Sequence, residues 1–453
     1  MKQQILELLE AKKYSQLKKE FTEMLVPDIA ELFEEIDNPL EVVKVFKLLP
    51  KDIGAEVFSY VDSSVQEALI TAMSDKEIAF LIEDMFIDDA VDFMEEMPAN
   101  IVEKVLKIST PQTRQTINKL LCYKEDSAGS VMTTEFVDLK NDFTVEQSLA
   151  RIRKIGKDVE TINVLYVTDR SRVLQGVLSI RDLLLAPPDK KITELMEDNV
   201  IFEKTTTDQE EIAQTFKKYD ILALPIVDNE NRLVGIVTVD DVMEIIEEEA
   251  TEDISKMAAV APNDKPYLKT SIWKLWLNRM PWLVLLMLSS TITSLIITQN
   301  ELLLSQSAYG IILTACIPMI MGTGGNAGGQ ASATIIRGIA LDEIHFKDSL
   351  KVIWKEIRVS LMLGASLCVV CFLKLLYIDG ICHEPNGYLV CAIICLAMFA
   401  TIVIAKLVGS LLPLLAKKCH LDPAVMASPF ITTIIDAVSL IILCTLSFSL
   451  LPA

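Results

Sequence analysis

The sequence predicts a multidomain membrane protein: an all-α N-terminal helical array, a repeated α/β module, a long linker helix and a five-span α-helical transmembrane domain. Three observations carry this reading. Five apolar runs long enough to cross a bilayer occupy the C-terminal part of the 453-residue chain. A gapless internal repeat lies within residues 131–250. Charge is divided unequally: residues 271–453 hold 11 Lys/Arg and 9 Asp/Glu, net +2, whereas residues 1–270 hold 31 and 54, net −23. A half that acidic repels itself and is unsuited to nucleic acid or an anionic membrane surface; it reads either as a cation-attracting domain or as a solvated acidic surface kept for solubility.

Residues 1–128 read as helices only and form the expected N domain. The opening MKQQILELLEAKKYSQLKKEF is an amphipathic helix with interspersed charges, lacking the apolar core of a signal peptide. Short amphipathic segments follow, punctuated by LLPKD, TAMSD, EMPAN and STPQT, a pattern of stacked short helices. FIDDAVDFMEEMP places Asp88 and Asp92 four residues apart on one helical face. Like charges at that spacing cost stability unless a cation binds them.

The repeat aligns LYVTDRSRVLQGVLSIRDLL, from Leu165, with LPIVDNENRLVGIVTVDDVM, from Leu224. Asp169 pairs with Asp228, Gly176 with Gly235, and Asp182 with Asp241. Each copy reads as strand, Asp-containing turn, strand and helix. The pattern resembles tandem CBS domains, with the copies at 129–195 and 196–250. The Ser179–Asp182 and Thr238–Asp241 spacings look like the ribose-binding motif of nucleotide-binding members. They fit helix N-caps as well, which is the commoner use. ATP or another adenine nucleotide at Ser179, Asp182 and Thr238 is therefore one of two readings.

A linker helix starts near residue 241 and continues into 251–270. Asp241, Glu244, Glu248 and Glu252 approximate one acidic stripe, with Glu247, Glu249 and Asp253 beside it. No base lies between Asp240 and Lys256, whereas a plain solvated helix usually mixes signs. This helix is placed to couple the acidic half to the membrane half.

Residues 271–453 form the membrane domain, with spans expected near 281–298, 308–336, 357–378, 388–415 and 426–450. Trp276 and Trp282 suit an interfacial belt at the first entry. Arg337, Lys347, Lys351, Lys355 and Arg358 surround the second connection, and Lys417 and Lys418 lie in the fourth. The first and third connections carry Glu301, Asp379, His383 and Glu384. The positive-inside rule then places the N-terminus in the cytoplasm and the C-terminus outside, in a multi-pass plasma (inner) membrane protein.

PMIMGTGGNAGGQASATIIR in the second span carries five glycines that weaken a regular helix and permit close approach. Asn326 and Gln330 share one of its faces. This span reads either as a pore or its support, or as a small-residue packing face. The fifth span opens with LDPAVMASPFITTIID: Asp422 at the mouth, Pro423 and Pro429 interrupting the first turns, and Thr432, Thr433 and Asp436 on one face. An acid in hydrocarbon normally faces a partner or a water-filled path. Lys374 and Lys406 are the bases within the spans, each near enough to an end to snorkel. Of nine cysteines only Cys122 lies in the acidic half. The other eight read as packing residues, and the acidic half as belonging to a reducing cytoplasm.

Together these parts resemble the MgtE family of magnesium channels and transporters over nearly the whole chain. The order of parts is the same, and GTGGNAGGQASATIIR, DPAVMASPFITTIID and TVDDVMEIIEEEATEDI are the specific matches. The resemblance implies a homodimer in the lipid bilayer with one pore lined by the second and fifth spans, no nucleic-acid partner and no enzyme activity. It implies Mg²⁺ as both transported and regulatory ion. By position Asp436 matches the pore acid and Asp422 the acid at the cytoplasmic mouth. The sensor acids map onto Asp88 and Asp92, onto Asp208, Glu210 and Asp220, and onto Asp241, Glu249, Glu252 and Asp253. Glu244 stands in place of an aspartate, and Ser428 replaces an Asn near the ion path. A Mn²⁺ or Co²⁺ transporter of the same architecture, and a membrane-anchored adenine-nucleotide sensor, are the alternative readings.

Overall fold

The structure, a computed structural model, describes residues 13–34, 36, 38–50, 53–263, 267–268, 270–301, 309–381, 386–426 and 428–451, with residues 5, 8 and 11. Most of the first twelve residues of the expected N-terminal helix lie outside the described residues. So do His383 and Glu384 of the third membrane connection and the side chain of Ser428. The chain divides into two compact units, Met1–Glu247 and Glu248–Ala453.

The first unit begins with a run of short helices: α1 (Tyr14–Phe21), α2 (Val26–Glu34), α3 (Pro39–Phe46), α4 (Gly54–Tyr60), α5 (Ser63–Ala72), α6 (Asp75–Asp84), α7 (Ile87–Glu96), α8 (Ala99–Ile108) and α9 (Pro111–Leu120). Local signals keep them short. Ser74 and Glu77 form a capping box at α6, and Thr110 caps α9 ahead of Pro111. Val61, Met73, Met85, Met97 and Ser109 turn extended and stop the helices before them. Each helix buries one apolar stripe, and edge-to-face contacts run through Phe33, Phe46, Phe58 and Phe93 at centroid spacings of 6.0, 6.4 and 5.2 Å. Phe93 thereby anchors α7, which carries Asp88 and Asp92.

The repeat folds twice into the same three-stranded sheet. β1 (Phe136–Lys140), α10 (Val145–Ile155), β2 (Thr161–Thr168), β3 (Leu174–Ser179) and α11 (Ile180–Leu185) form the first copy. β4 (Glu203–Lys204), α12 (Gln209–Tyr219), β5 (Ala223–Val227) and β6 (Leu233–Thr238) form the second. In each, the first strand pairs parallel to the second and the second antiparallel to the third. The matched aspartates build the turns: Asp169 Oδ1 accepts from the N–H groups of Ser171 and Val173, and Asp228 Oδ1 from those of Glu230 and Arg232. The matched glycines answer one packing demand, since a side chain at Gly176 would strike Met196 and one at Gly235 would strike Met132. Val173 bridges Arg232 across the copies, and Phe136, Tyr166, Ala223, Leu233 and Ile236 fill the space between them.

α13 (Val239–Met257) leaves β6 directly. Val242 and Ile245 bury its first turns in the same core as the short helices. The second unit contains α14 (Ile272–Ser289), α15 (Thr291–Gln299), α16 (Gly310–Ala340), α17 (Ser349–Tyr377), α18 (Gly387–Lys418) and α19 (Ser428–Leu450). Five stretches suit a membrane crossing: Ile272–Gln299, Gly310–Ala340, Phe346–Tyr377, Gly387–Lys418 and Pro423–Leu450. The first and third start well before the expected 281 and 357. Helical hydrogen bonding there continues beyond the apolar runs through Trp273, Lys274, Lys351 and Lys355, and apolar run length does not mark where a helix begins.

Two further expectations are corrected within this unit. The glycine-rich stretch does not interrupt its helix, because α16 runs unbroken through residues 322–329. Low water activity keeps its backbone bonds intact, and the small residues pack closely. Lys406 does not snorkel: its side chain is 8 % exposed, and its ammonium lies 3.8 Å from the Glu356 carboxylate on α17, itself 13 % exposed.

Candidate cation site

Acids from three parts of the first unit converge. α7 supplies Asp88, Asp89 and Asp92 from its opening turns. Its N-terminus has no cap of its own; instead Glu135, from the segment ahead of β1, accepts from the Ile87 N–H at 3.1 Å. Glu160 arrives just before β2, and Asp240, Asp241 and Glu244 come from the start of α13. Asp88 is buried, and its carboxyl is held well above the usual carboxylate range by burial first, then by the charges of Asp241, Asp89 and Glu160. Asp89 is pushed up to about 6 by burial and by Asp241, with Ser59 opposing. Glu160 is pushed up to about 7 by burial, then Asp241, Asp240, Asp89 and Glu135. One of its carboxylate oxygens is buried without a hydrogen-bond partner among the described residues. Asp92 reaches solvent, yet the enclosure of its carboxyl, followed by Glu95, Asp89, Asp241 and Glu244, raises it too.

The arrangement is a pocket of negative potential in which every proton or cation taken up relieves repulsion. Among the described residues none of these acids forms an ion pair. Among the described residues no three His, Cys, Asp or Glu side chains are placed to grip one bare ion. Asp88, Asp92, Asp241 and Glu244 were legible in the sequence and are brought together. Asp89, Glu135, Glu160 and Asp240 were missed. Asp89 and Asp240 each adjoin a chosen acid, so the DD pairs were the available signal. Glu135 and Glu160 lie in unpatterned loops and had none.

The other sequence candidates are placed differently. Asp208 caps the start of α12, accepting from the Glu210 N–H at 3.1 Å, and Asp220 ends the same helix in the left-handed region at φ 51°. A helix of 11 residues, about 16 Å of rise, separates them, so they do not share one ion within a chain. Ser179 Oγ accepts from the Asp182 N–H at 3.1 Å and donates to the Asp182 carboxylate. Thr238 donates both its N–H and its hydroxyl to Asp241, at 3.2 and 2.6 Å. Both pairs therefore serve as helix caps.

In the second unit the end of α13 meets the turn that precedes the fifth span. Asp422 Oδ1 accepts from the Ala424 N–H at 2.7 Å and so starts the short helix Pro423–Met426. Its Oδ2 lies 2.7 Å from Lys256, which also pairs with Glu252 at 2.5 Å. Asp253 stands close enough that burial, then the Asp422 charge, raises its pKa. Glu249 sits a turn earlier, half-buried. Lys256 was not among the sequence candidates, because a lone base after an acidic run reads as ordinary solvation.

Within the membrane bundle the second and fifth spans touch closely: a side chain at Gly325 would strike Thr432. Asp436 lies one turn beyond Thr432 and is half-buried. The two intramembrane lysines are engaged elsewhere, Lys374 with Asp379 at 2.6 Å and Lys406 with Glu356. Asp436 has no ion-pair partner among the described residues. On α16 the residues Gly322, Asn326, Gln330 and Thr334 form one exposed stripe at helical spacing. A polar stripe in lipid demands a partner surface or water.

The chain is similar to known proteins over most of its length. Family models match residues 24–126 as the MgtE intracellular N domain, 128–189 and 192–248 as CBS domains, and 317–446 as the MgtE divalent cation transporter. The magnesium transporter MgtE of Thermus thermophilus is 36 % identical over 430 residues, 94 % of this chain and 93 % of that protein. The magnesium transporter MgtE of Bacillus subtilis is 32 % identical over 92 % of each chain. A crystal structure of the cytosolic domain of the Mg²⁺ channel MgtE in complex with ATP is 35 % identical, with a TM-score of 0.52, and covers 54 % of this chain and all of that one. This chain belongs to the MgtE family of divalent cation transporters.

Proposed function

We propose that the protein is a Mg²⁺-selective channel that admits Mg²⁺ down its electrochemical gradient and closes when cytosolic Mg²⁺ occupies its acidic domains. The observation that carries the reading is Asp436, a half-buried carboxylate in the fifth span with both intramembrane lysines committed to other acids. The exposed polar stripe through Asn326 supports a homodimer whose second copy completes the conduit, with Thr432 beside the acid. Mg²⁺ takes oxygen ligands and dehydrates reluctantly, so two Asp436 carboxylates hold it through its waters. The membrane potential is sufficient drive: about 4.6 kcal/mol per 100 mV for a double charge, roughly three decades of accumulation. The basic second and fourth connections support an N-terminus in the cytoplasm and a C-terminus outside.

For closure, Mg²⁺ relieves repulsion among Asp88, Asp92, Asp241 and Glu244 and their neighbours, and reaches the mouth acids Asp422, Glu249, Glu252 and Asp253. The ion must bind the closed arrangement more tightly than the open one. Asp208, Glu210 and Asp220 belong to the same sensor, and because Asp208 and Asp220 stand at opposite ends of α12, a second copy of the chain supplies the remaining ligands of an ion held at either end. ATP, which the related cytosolic domain binds, is assigned here to the CBS pair near Ser179, Asp182 and Thr238. Mg²⁺ flux into proteoliposomes at a fixed potential, wild type against Asp436→Ala, tests the reading. Flux lost in the folded variant supports it, and equal flux removes Asp436 from the path.

A further inference from the structure

The third span opens on a basic face that its own chain leaves uncovered. Lys351, Lys355 and Arg358 stand four and three residues apart near the start of α17, so they share one row of the helix. Lys347 precedes them in the short turn Phe346–Asp348, and Lys418, from the end of α18, lies 4.4 Å over the Phe346 ring. Other bases of this unit meet acids: Lys256 meets Asp422, Lys374 meets Asp379 and Lys406 meets Glu356. Lys351 meets Asp348 at 2.8 Å. Lys347, Lys355 and Arg358 are exposed and have no ion-pair partner among the described residues. Orienting a span needs basic charge in a connection but not its alignment along one helical row.

The same row turns apolar one turn later, where Met362 is 73 % exposed and Val369 61 %. Trp354 stands beside Arg358 and is 60 % exposed. Its carbonyl accepts from Arg358 Nε at 3.4 Å, and the guanidinium lies 5.8 Å from its ring centroid. Tryptophan favours the boundary between hydrocarbon and headgroups, so it marks the depth of Arg358. Lys355 and Arg358 are about 4.5 Å apart along the helix axis, within a headgroup layer about 5–7 Å thick. A second copy brought onto this face by a two-fold axis would oppose like charges. We infer that the face binds an anionic phospholipid. Lys355 and Arg358 hold its phosphate by charge-assisted hydrogen bonds, Lys347 and Lys418 add to the positive potential, and its acyl chains lie along Met362 and Val369. None of these residues belongs to the ion path proposed above.

The test reads quenching of Trp354 in full-length protein reconstituted in phosphatidylcholine vesicles. Trp273→Phe, Trp276→Phe and Trp282→Phe leave Trp354 as the one tryptophan of the chain. If that variant does not fold, the emission of wild type less that of Trp354→Phe gives the same readout. Phosphatidylglycerol or phosphatidylcholine, brominated high on the acyl chain, replaces a rising fraction of the lipid. A base near an anionic lipid surface is worth about fivefold in affinity. Half-quenching is expected at an at least tenfold lower fraction of brominated phosphatidylglycerol. Lys355→Ala and Arg358→Ala each reduce that preference about fivefold, the double variant abolishes it, and Lys355→Arg retains it. Equal quenching by both lipids, or a preference unchanged in the double variant, overturns the inference. So does a preference lost in sodium phosphate but kept in sodium chloride of equal ionic strength, which would mark a site for free phosphate. Absence of quenching by either lipid would mean that a second copy covers the face, and overturns it as well.

Discussion

Lys256 sets the charge at the mouth of the fifth span. Asp422, Glu252 and Asp253 bring three negative charges, and Lys256 reduces the net to that of one missing divalent ion. Burial disfavours its charge, but hydrogen bonds to Asp422 and Glu252 outweigh this and push its pKa up to about 12. The lysine thus stays charged across the physiological range. A positive charge about 4 Å from a cation weakens its binding by at least about 1 kcal/mol even at the dielectric of water. Lys256→Met is therefore expected to lower the Mg²⁺ concentration that half-inhibits flux by about fivefold or more. Lys256→Arg, which retains the charge, leaves it near the wild-type value. Titrating internal Mg²⁺ in the flux assay reads both. An unchanged midpoint in Lys256→Met would separate this lysine from the cation.

At the scale of elements, the second and fourth spans approach so closely that a side chain at Gly409 would overlap the Gly328 carbonyl. Overpacking of this kind typically costs about 1–3 kcal/mol. Gly409→Ala is expected to lower the unfolding temperature of the detergent-solubilised protein. Gly322→Ala, whose added methyl meets nothing within 4 Å in its own chain, leaves the bundle's own stability unchanged. Thermal unfolding of the two variants side by side checks this. The sequence carried the glycine pattern but not which glycine touches which helix, since that depends on the rotation of two long helices about their axes. The same gap explains Lys406. Its position in the chain suggested a route to the interface, and only the neighbouring span revealed Glu356.

At the scale of the whole molecule, the clustered acids of the first unit make stability depend on pH and cations together. The folded pKa values of Asp88, Asp89 and Glu160 are raised, the last two to about 6 and 7, above ordinary unfolded values near 4. The stability they contribute is full below about pH 4 and is lost as pH rises through about 6 and 7. Without divalent cations, tryptic cleavage within residues 1–247 should accelerate between about pH 5 and 8. Added Mg²⁺ should suppress the increase at pH 8, because a cation bound to the folded state replaces the lost protons. A flat pH profile without Mg²⁺ would mean that these acids do not repel as their placement implies.

The sequence alone determined the order of parts, the repeat, the number of spans and the intramembrane acid. These rest on local periodicity, turn residues and the cost of charge in hydrocarbon, all readable along one dimension. It also yielded half of the acid cluster of the first unit, where acids lay at helical spacing. The tertiary structure decided the rest. Glu135 and Glu160 reach that cluster from loops, Lys256 finds Asp422 across more than 160 residues of chain, and Asp208 and Asp220 are held apart by the helix between them. Electrostatic energy depends on distance in space, and chain folding sets those distances independently of separation along the sequence.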